Sequence, residues 1–434
     1  MILYRSTRAV EGAADVTFDE AMLAGLAPDG GLYWPTRLPP LPLGWEAAKS
    51  PAELARSVLG AYMGAEAAAA VAGGLDFPWP VKRLTDDVFV LELFHGPTAA
   101  FKDVGARSLA RAIEAALIGR DERLTILVAT SGDTGSAVAD AFAGLKRVRV
   151  AVLYPAGGVS PVQEAQLTAS RQGVRAFRVE GTFDDCQALV KAALADPALA
   201  GVNLSSANSI NIGRLLPQSL YYLWGSARVW EELGVTTPLE VVVPSGNLGN
   251  LTAGLLAAET GLRTAGFLAA HNRNDFFPRY LAREADAYAF DASVATPSTA
   301  MDVGAPSNFE RLFSWLGDDL RARVRGCRVG DAATLERMRV TAEQDGYLVC
   351  PHTAVGLEAL ARLRAAAAPG ERRAPAMVLA TAHPAKFPEA VLEATGRRPA
   401  APANLRRFTD APKRVESLAA RPAGLRAALL DWVD

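Results

Sequence analysis

The sequence predicts an α/β protein of two lobes, with parallel-rich sheets flanked by helices and an N-terminal extension in front of them. From Val88 onward, short apolar or β-branched runs alternate with amphipathic helical segments, and this alternation is typical of parallel sheets covered by helices. The 434 residues are enough for two or three lobes with separate cores. Half of the residues are hydrophobic and 21% are charged, which is an ordinary globular balance.

The chain divides into three predicted parts. Residues 1–85 form the N-terminal extension, and residues 86–400 form the two α/β lobes, with the smaller lobe at about 100–215. Residues 401–434 form a C-terminal tail, which we expect to be irregular after Pro399 until a final short helix. Boundaries of this kind follow from changes in local pattern and are the least precise part of the prediction.

Local patterns place the individual elements. Residues 17–20 (T-F-D-E) form a capping box that predicts a helix to about Leu26, and an alanine-rich stretch predicts helix from Pro51 to about Gly73. The predicted strands are Val88–Leu93, Leu124–Ala129, Val148–Tyr154, Val174–Val179, Leu239–Val243, Thr264–Ala269 and Met377–Ala380. The other predicted helices are Val104–Ile118, Ser136–Leu145, Val162–Gln172, Phe183–Leu194, Ile212–Leu233, Leu251–Thr260, Asp331–Gln344 and Thr353–Ala366.

Composition excludes several classes of function. The formal net charge of −2 argues against nucleic acid or an anionic membrane as the main partner. Neither a secretory signal nor an uncharged stretch of 18 apolar residues is present. The three cysteines (Cys186, Cys327, Cys350) fit free thiols in a reducing compartment, and the four histidines show no metal-ligand spacing. We therefore expect a cytoplasmic protein, a monomer or homodimer, without a metal.

The first segment with chemical character is L-F-H-G-P-T-A-A-F-K-D, residues 93–103. It places Lys102 at a predicted strand-to-helix junction, between a bulky Phe101 and the acidic Asp103. A lysine that is partly desolvated there loses its proton more readily and attacks a carbonyl group. The alternative is a surface lysine at a helix start, which is the commoner explanation for any single lysine.

Two further segments follow predicted strands and precede predicted helices. T-S-G-D-T-G, residues 130–135, leaves backbone N–H groups free at a helix N-terminus, although a tight turn with a good N-cap explains it equally well. P-S-G-N-L-G-N, residues 244–250, has two glycines that allow the backbone to surround a phosphate. It matches neither the dinucleotide fingerprint nor a P-loop, so it predicts a cup for a phosphate monoester.

Two more segments complete the set. N-S-I-N-I-G-R, residues 208–214, combines amides and hydroxyls with an arginine that could bind a second anion, the alternative being an N-cap beside an exposed arginine. T-A-H-P-A-K-F, residues 381–387, follows the last predicted strand and offers a hydroxyl to a ring nitrogen. Strand ends of open α/β sheets meet at one crevice. An enzyme that uses pyridoxal 5'-phosphate needs this combination of a lysine, a phosphate cup, a ring partner and a carboxylate site.

These strings resemble threonine synthase of the bacterial and fungal long-chain branch. The resemblance covers nearly the whole chain, from Tyr4 to Phe387, and includes FHGPTAAFKD, ATSGDTGSA, NSINIGRLLPQ, VPSGNLGN, TPSTAMDVGAPSN and TAHPAKF in family order. It implies the fold of the tryptophan synthase β-subunit, fold type II of the pyridoxal-phosphate enzymes. It also implies conversion of O-phospho-L-homoserine and water to L-threonine and phosphate, the last step of threonine biosynthesis.

The resemblance also implies roles for individual residues. Lys102 would form the Schiff base with pyridoxal 5'-phosphate and act as the shuttling base, and Thr381 would bond the ring nitrogen. Many fold relatives carry an asparagine at the position of Asp133, where it contacts the ring hydroxyl, so Asp133 is placed among the cofactor-binding residues. The implied phosphate cup consists of Gly246, Asn247, Leu248, Gly249 and Asn250, the last being Asp in some members. The implied substrate-binding residues are Ser131 and Thr134 for the carboxylate, and Asn208, Ser209 and Arg214 for the phosphate.

Two alternatives remain open. One is a lyase or dehydratase of the same fold that acts on another hydroxy- or phospho-amino acid; the segment ending at Arg214 favours a phosphorylated substrate, because a dehydratase releases no phosphate. The other is a relative that binds the cofactor but has lost catalysis and serves as a partner-binding protein. Retention of Lys102 together with the cup and the carboxylate turn argues against it.

Overall fold

The computed structural model describes residues 2–368 and 373–432. The strands are β1 (Tyr4–Ser6), β2 (Tyr33–Pro35), β3 (Val81–Thr85), β4 (Val88–Glu92), β5 (Leu124–Ala129), β6 (Val148–Pro155), β7 (Val174–Glu180), β8 (Leu204–Ser206), β9 (Leu239–Pro244), β10 (Thr264–His271), β11 (Val324–Arg328), β12 (Ala376–Ala380) and β13 (Glu416–Ala419). The helices are α1 (Phe18–Ala24), α2 (Pro51–Met63), α3 (Ala65–Gly73), α4 (Lys102–Ala116), α5 (Asp133–Phe142), α6 (Pro161–Thr168), α7 (Phe183–Leu194), α8 (Ile212–Leu215), α9 (Ser219–Leu233), α10 (Gly249–Glu259), α11 (Phe276–Leu281), α12 (Asn308–Leu316), α13 (Leu320–Arg323), α14 (Asp331–Gln344), α15 (Pro351–Ala365), α16 (Pro388–Thr395), α17 (Ala403–Thr409) and α18 (Pro422–Leu430).

Two sheets organise the main part of the chain. The larger sheet has six strands in the order β11-β10-β9-β12-β4-β3, and only the edge pair β3–β4 is antiparallel. The smaller sheet has five parallel strands in the order β13-β7-β6-β5-β8. Strands β5, β9 and β12 are buried along their whole length. Their continuous apolar runs are therefore those of strands covered on both faces, as predicted.

All seven predicted strands are present, with ends within two residues of the predicted ones. The strands that the sequence pattern missed are short or lie at sheet edges. In β3 and β11 most side chains are exposed or only partly buried, so neither strand has the apolar run on which the prediction depends. In the N-terminal extension, β1 and β2 form a separate antiparallel pair.

Two long helices of the prediction are interrupted in the structure. The helix predicted over 212–233 divides into α8 and α9, with a 3-10 turn at Leu216–Gln218 that contains Pro217 between them. Proline removes a backbone donor and favours such a break. The stretch from Pro51 to Gly73 divides at Gly64, whose φ of 83° ends α2 before α3 begins.

The predicted final short helix is present as α18, but the prediction that the tail is irregular between Pro399 and this helix was wrong. The tail contains α17, β13 and α18, and β13 pairs in parallel with β7 at the edge of the smaller sheet. Leu418, Leu425 and Leu429 are buried in the core beneath that sheet. The pattern missed β13 because the strand has four residues, of which Leu418 alone is buried.

Helix length, metal-ligand geometry and the state of the cysteines can be described for the same residues. Within residues 2–368 and 373–432, every helix is too short or too polar to span a bilayer. The same residues contain no group of three His, Cys, Asp or Glu side chains arranged to hold a metal ion. Cys186, Cys327 and Cys350 are free thiols.

Candidate active site

The carboxyl ends of the strands border one cleft. Residues that directly follow β5, β8, β9 and β12 line it, together with Lys102 from the loop after β4. The structure thus brings all of the predicted site residues to one place. Those in the cleft are Lys102, Ser131, Asp133, Thr134, Asn208, Ser209, Arg214, Gly246, Asn247, Leu248, Gly249, Asn250 and Thr381.

Backbone hydrogen bonds fix Lys102 next to Thr381. The Phe101 N–H donates to the Thr381 carbonyl at 2.8 Å, and the N–H of His383 donates to the Ala99 carbonyl at 3.1 Å. Lys102 is the first residue of α4, so its side chain leaves the chain where the loop becomes helical. The loop after β4 and the segment after β12 are therefore one braced unit that carries both residues.

Charges and burial around Lys102 favour its neutral amine. Burial, together with the positive charges of Arg214 and Lys386, lowers the pKa of Lys102 to about 8 from its ordinary 10.5, although the negative charge of Asp133 opposes this shift. The ammonium group lies 5.6 Å from the centre of the Phe101 ring. A lysine with such a pKa is a nucleophile and a proton acceptor near neutral pH.

The segment 246–250 has the features of an anion cup. Leu248 has a left-handed backbone (φ 61°), and α10 then begins at Gly249 without any side-chain cap on its first N–H groups. The Asn250 Oδ1 accepts hydrogen bonds from the hydroxyls of Tyr221 (2.5 Å) and Tyr222 (2.6 Å). This pairing fixes the amide, and its buried Nδ2 has no partner among the described residues. The cup therefore offers an unused side-chain donor beside a helix N-terminus.

The side chain of Asn247 has another task in the structure. Its Nδ2 donates to the Ser209 hydroxyl at 2.8 Å, and its Oδ1 accepts the N–H of Ser307. Gly246 lies against backbone, because a Cβ added there would be 2.9 Å from the Met301 Cα. Both residues thus shape the cup, and the donors that it leaves available to a ligand are the Asn250 Nδ2 and the N–H groups of the first turn of α10.

The turn at the start of α5 leaves two hydroxyls available. Thr130 Oγ1 accepts the N–H groups of Gly132 (2.9 Å) and Gly135 (2.8 Å), which holds the turn in shape. Ser131 and Thr134 line the cleft. Neither hydroxyl makes a hydrogen bond to the part of the chain that the structure describes. They are free to donate to an anionic group of a ligand.

The segment 208–214 is braced by its polar side chains. Asn208 Nδ2 donates to the Ala129 carbonyl at 3.0 Å. Ser209 Oγ accepts the amides of Asn247 (2.8 Å) and Asn308 (2.9 Å), so its hydroxyl hydrogen remains to be donated. Three neighbouring segments, which contain Ala129, Asn247 and Asn308, thereby hold Asn208 and Ser209 at the wall of the cleft.

Two buried arginines lie in or against the segment 208–214, and of these Arg214 lines the cleft. Arg214 donates to the Ala207 carbonyl, while its Nε has no partner among the described residues. Arg311 donates to the carbonyls of Ile210 (2.7 Å) and Ser209 (3.4 Å). Burial lowers the pKa of Arg214 to about 10 and that of Arg311 to about 9. Because neither forms an ion pair within the described ranges, the site is suited to an anion.

The sequence analysis missed one ion pair inside this site. Lys386 Nζ lies 2.7 Å from Asp133 Oδ1, and it also donates to the Thr98 carbonyl at 3.0 Å. Gln163 donates to the same carboxylate oxygen at 2.9 Å. Although burial opposes it, the charges of Lys386 and Lys102 lower the pKa of Asp133. Lys386 was part of a quoted motif, but nothing in the sequence indicated its partner.

Matches to protein families cover most of the chain. A family of pyridoxal-phosphate dependent enzymes matches residues 75–380, and families described as threonine synthase N terminus and threonine synthase, C-terminal, match residues 3–72 and 353–428. Threonine synthase of Haemophilus influenzae is 40% identical over 425 residues, which span 96% of this chain and 97% of that protein. The chain belongs to the threonine synthase family. The enzyme of Escherichia coli, also 40% identical, covers 96% of this chain as well.

Solved structures agree with this family membership. The crystal structure of threonine synthase from Escherichia coli has a TM-score of 0.90 at 38% identity, covering 99% of this chain and 100% of that one. The pyridoxal-phosphate-bound threonine synthase from Brucella melitensis has a TM-score of 0.88 at 36% identity, covering 99% of both chains. The predicted fold class is confirmed. The chain is a pyridoxal 5'-phosphate-dependent lyase with threonine synthase function, as the sequence resemblance implied.

The residues of the cleft fit pyridoxal 5'-phosphate. The unpartnered Asn250 Nδ2 and the uncapped first turn of α10 suit its phosphate. The amine of Lys102, with its pKa lowered by burial, suits its aldehyde. The hydroxyl of Thr381 also faces the cleft and makes no hydrogen bond to a described residue. It is therefore available to the ring nitrogen.

The rate at which the apoprotein captures the cofactor aldehyde should depend on the protonation of Lys102. Because only the neutral amine attacks, we expect the rate to rise with pH and to reach half its maximum near pH 8 rather than near 10.5. Stopped-flow absorbance after mixing apoprotein with pyridoxal 5'-phosphate measures this rate. A midpoint above pH 10 would show that the surroundings of Lys102 do not lower its pKa.

Proposed function

We propose that the substrate is O-phospho-L-homoserine, which the chain converts with water to L-threonine and inorganic phosphate. The observation that carries this proposal is the buried Arg214, which forms no ion pair with a described residue and lines the cleft from the segment 208–214, not from the cup at 246–250. Two anion sites in one cleft suit a cofactor and a substrate that each bear a phosphate. An enzyme for an unphosphorylated hydroxy-amino acid has no need of the second site.

The proposal assigns tasks to several of the residues that line the cleft. Lys102 binds the cofactor aldehyde, Thr381 its ring nitrogen, and Asn250 with the first turn of α10 its phosphate. The hydroxyls of Ser131 and Thr134 bind the substrate carboxylate. The residues proposed for the substrate phosphate are Asn208, Ser209 and Arg214.

The chemistry that pyridoxal 5'-phosphate supplies when bound is electron withdrawal from Cα of the substrate. The neutral amine of Lys102 takes the proton from Cα and, once it has released that proton and is neutral again, takes a proton from Cβ. Arg214 and Ser209 donate hydrogen bonds to the phosphate and stabilise the negative charge that grows as the Cγ–O bond breaks. Water adds its hydroxyl group to Cβ, protons return to Cα and Cγ, and the second proton of water leaves on the phosphate.

We also propose that residues 1–85 act as an extension that supports the substrate side of the cleft. Asn211, at the start of α8, donates from its Nδ2 to the Met22 carbonyl at 2.9 Å. Arg311 donates to the Tyr33 carbonyl at 3.3 Å while it holds the segment 208–214.

We propose that the protein is located in the cytoplasm. Its three cysteines are free thiols, as is usual for proteins of a reducing compartment.

A phosphate-release assay tests the proposed substrate. Purified protein loaded with pyridoxal 5'-phosphate should release phosphate from O-phospho-L-homoserine and form an equal amount of threonine. Phosphoserine and phosphothreonine serve as controls, because they carry the phosphate on Cβ. Release from either control, without release from O-phospho-L-homoserine, would favour a lyase of the same fold instead.

Replacing Arg214 with alanine should weaken substrate capture while the cofactor stays bound. A hydrogen bond to a charged group contributes about 1.5–3 kcal/mol, so we expect KM for O-phospho-L-homoserine to rise by roughly 10- to 100-fold. Steady-state kinetics measure KM, and absorbance of the dialysed protein measures the bound cofactor. Binding of L-threonine is the matched control, since threonine has no phosphate. Loss of cofactor in place of substrate would show that the two anion sites are assigned the wrong way round.

A further inference from the structure

His352 lies at the wall of the cleft, and the proposed function leaves it without a role. It is the second residue of α15, only 2% of its surface is exposed, and it lines the cleft with Lys102, Asp133 and Thr381. Its ring packs against that of Phe387, with 4.8 Å between the ring centres. A buried polar ring at such a place needs hydrogen-bond partners for both nitrogens.

The protein supplies a partner for one nitrogen and leaves the other free. The backbone N–H of Ala300 donates to Nε2 at 3.1 Å, so Nε2 carries no proton. Burial lowers the pKa of His352 to about 4, and the positive charges of Lys102 and Lys386 act in the same direction, whereas the negative charge of Asp133 opposes the shift. The ring is therefore neutral near pH 7. A neutral imidazole with an accepting Nε2 carries its proton on Nδ1. This Nδ1 is buried and has no partner among the described residues.

The polar groups of the cofactor show what this donor can bind. The aldehyde, the phosphate and the ring nitrogen have proposed partners in Lys102, the cup and Thr381. The remaining group is the ring oxygen on the carbon next to the one that bears the aldehyde, so its partner must lie close to the Lys102 amine. Asp133 is close, and the family resemblance places it at this oxygen, but a carboxylate has no proton to donate and so cannot bond the anionic form of the oxygen. Lys386 is fully buried against Asp133 and Thr98 and is not among the residues that line the cleft.

We propose that His352 is a cofactor-binding residue whose Nδ1–H donates a hydrogen bond to the ring oxygen of pyridoxal 5'-phosphate. The inference rests on the proposed function and adds a residue to it. This hydrogen bond stabilises the anionic form of the oxygen and fixes the rotation of the ring relative to Lys102. The Ala300 N–H acts through the imidazole, because it determines which nitrogen carries the proton.

Two substitutions with side chains of similar size distinguish the role of Nδ1 from the role of Nε2. In His352→Asn the side-chain amide reaches the position of Nδ1 and can still donate, whereas the acceptor for Ala300 is lost. In His352→Gln the longer amide reaches the position of Nε2 and can still accept from Ala300, whereas the donor is lost. We expect His352→Gln to raise the Kd of the apoprotein for pyridoxal 5'-phosphate on the order of 10- to 100-fold, and His352→Asn to change it less than about threefold.

An analogue that lacks the ring oxygen, 3-deoxypyridoxal 5'-phosphate, identifies the atom. The wild type and His352→Gln should bind this analogue with the same Kd, since neither can make the hydrogen bond. Thermal unfolding of each apoprotein shows whether the variants fold, and a Kd comparison is made only between folded proteins. Equal weakening of both ligands, or greater weakening by His352→Asn, would mean that His352 only supports the loop at Ala300.

The test is independent of the substrate. Unchanged Kd values in His352→Gln, together with a raised KM for O-phospho-L-homoserine, would overturn the inference and assign the donor to the substrate. All Kd measurements use the apoprotein and cofactor alone, so they can succeed even when phosphate release fails. Failure of phosphate release in the wild type, with the expected pattern of Kd values, would refute the proposed substrate but leave the role of His352 intact.

Discussion

The Lys102→Ala variant is expected to lose phosphate release from O-phospho-L-homoserine by at least about 10³-fold, because it lacks both the nucleophile for the cofactor and the proton acceptor. It should also lack the absorbance band near the visible edge that borohydride removes from the wild type. The anion cup at 246–250 is unchanged in this variant. It should therefore still bind pyridoxal 5'-phosphate, but release it on dialysis.

Lys146→Ala is the matched control for this experiment. Lys146 is exposed and lies in the turn after α5. Its replacement removes the same charge and chain length without touching the cleft, and activity should stay within about twofold, as for most surface substitutions. Turnover retained in Lys102→Ala, or a band that still responds to borohydride, would mean that another amine binds the cofactor aldehyde, and would refute the assignment of this role to Lys102.

Lys386→Met should lower the free energy of unfolding by about 3–5 kcal/mol, because it leaves the buried Asp133 carboxylate without its counter-charge. Methionine nearly preserves the volume of the side chain, so packing is a minor part of the loss. Lys386 has no exposed surface and Asp133 only 3%, and solvent therefore compensates little. Urea unfolding of the apoprotein measures the change.

The double variant Lys386→Met with Asp133→Asn provides the control. Asparagine has no charge to leave unpaired, so we expect the double variant to be more stable than Lys386→Met alone by at least about 1 kcal/mol. Equal stability of the single and double variants would mean that Lys386 does not stabilise the protein through the ion pair. The comparison also distinguishes the contribution of the ion pair from that of Gln163, because Gln163 can donate a hydrogen bond to Asp or to Asn at position 133.

The sequence predicted the elements that have a continuous local pattern of apolar residues. Strands such as β5 and β9 are buried on both faces, so their apolar runs identify them directly. The role of Lys102 was recognised from the accompanying motifs and the family resemblance, because a single lysine at a helix start is more often a surface residue. The edge strands and the tail were missed, since half-exposed strands of four or five residues have no such run.

Details of the site depend on contacts between distant segments, which no local pattern contains. The donor direction of the Asn250 amide is set by Tyr221 and Tyr222, two adjacent residues on another helix. The position of the proton on His352 is set by the Ala300 N–H. The same holds for the pairing of Asp133 with Lys386. Such partners become visible only after the chain has folded.

The late position of β13 in the chain has a consequence during synthesis. Glu416–Ala419 covers the edge of β7, and Arg175 of β7 pairs with Glu416 at 2.5 Å. The ribosome makes β7 long before β13, so the edge of β7 lacks this partner strand until residues 416–419 have emerged. Open edges invite pairing with other chains. In this family member, β13 thus closes an edge that is open to pairing between unfinished chains.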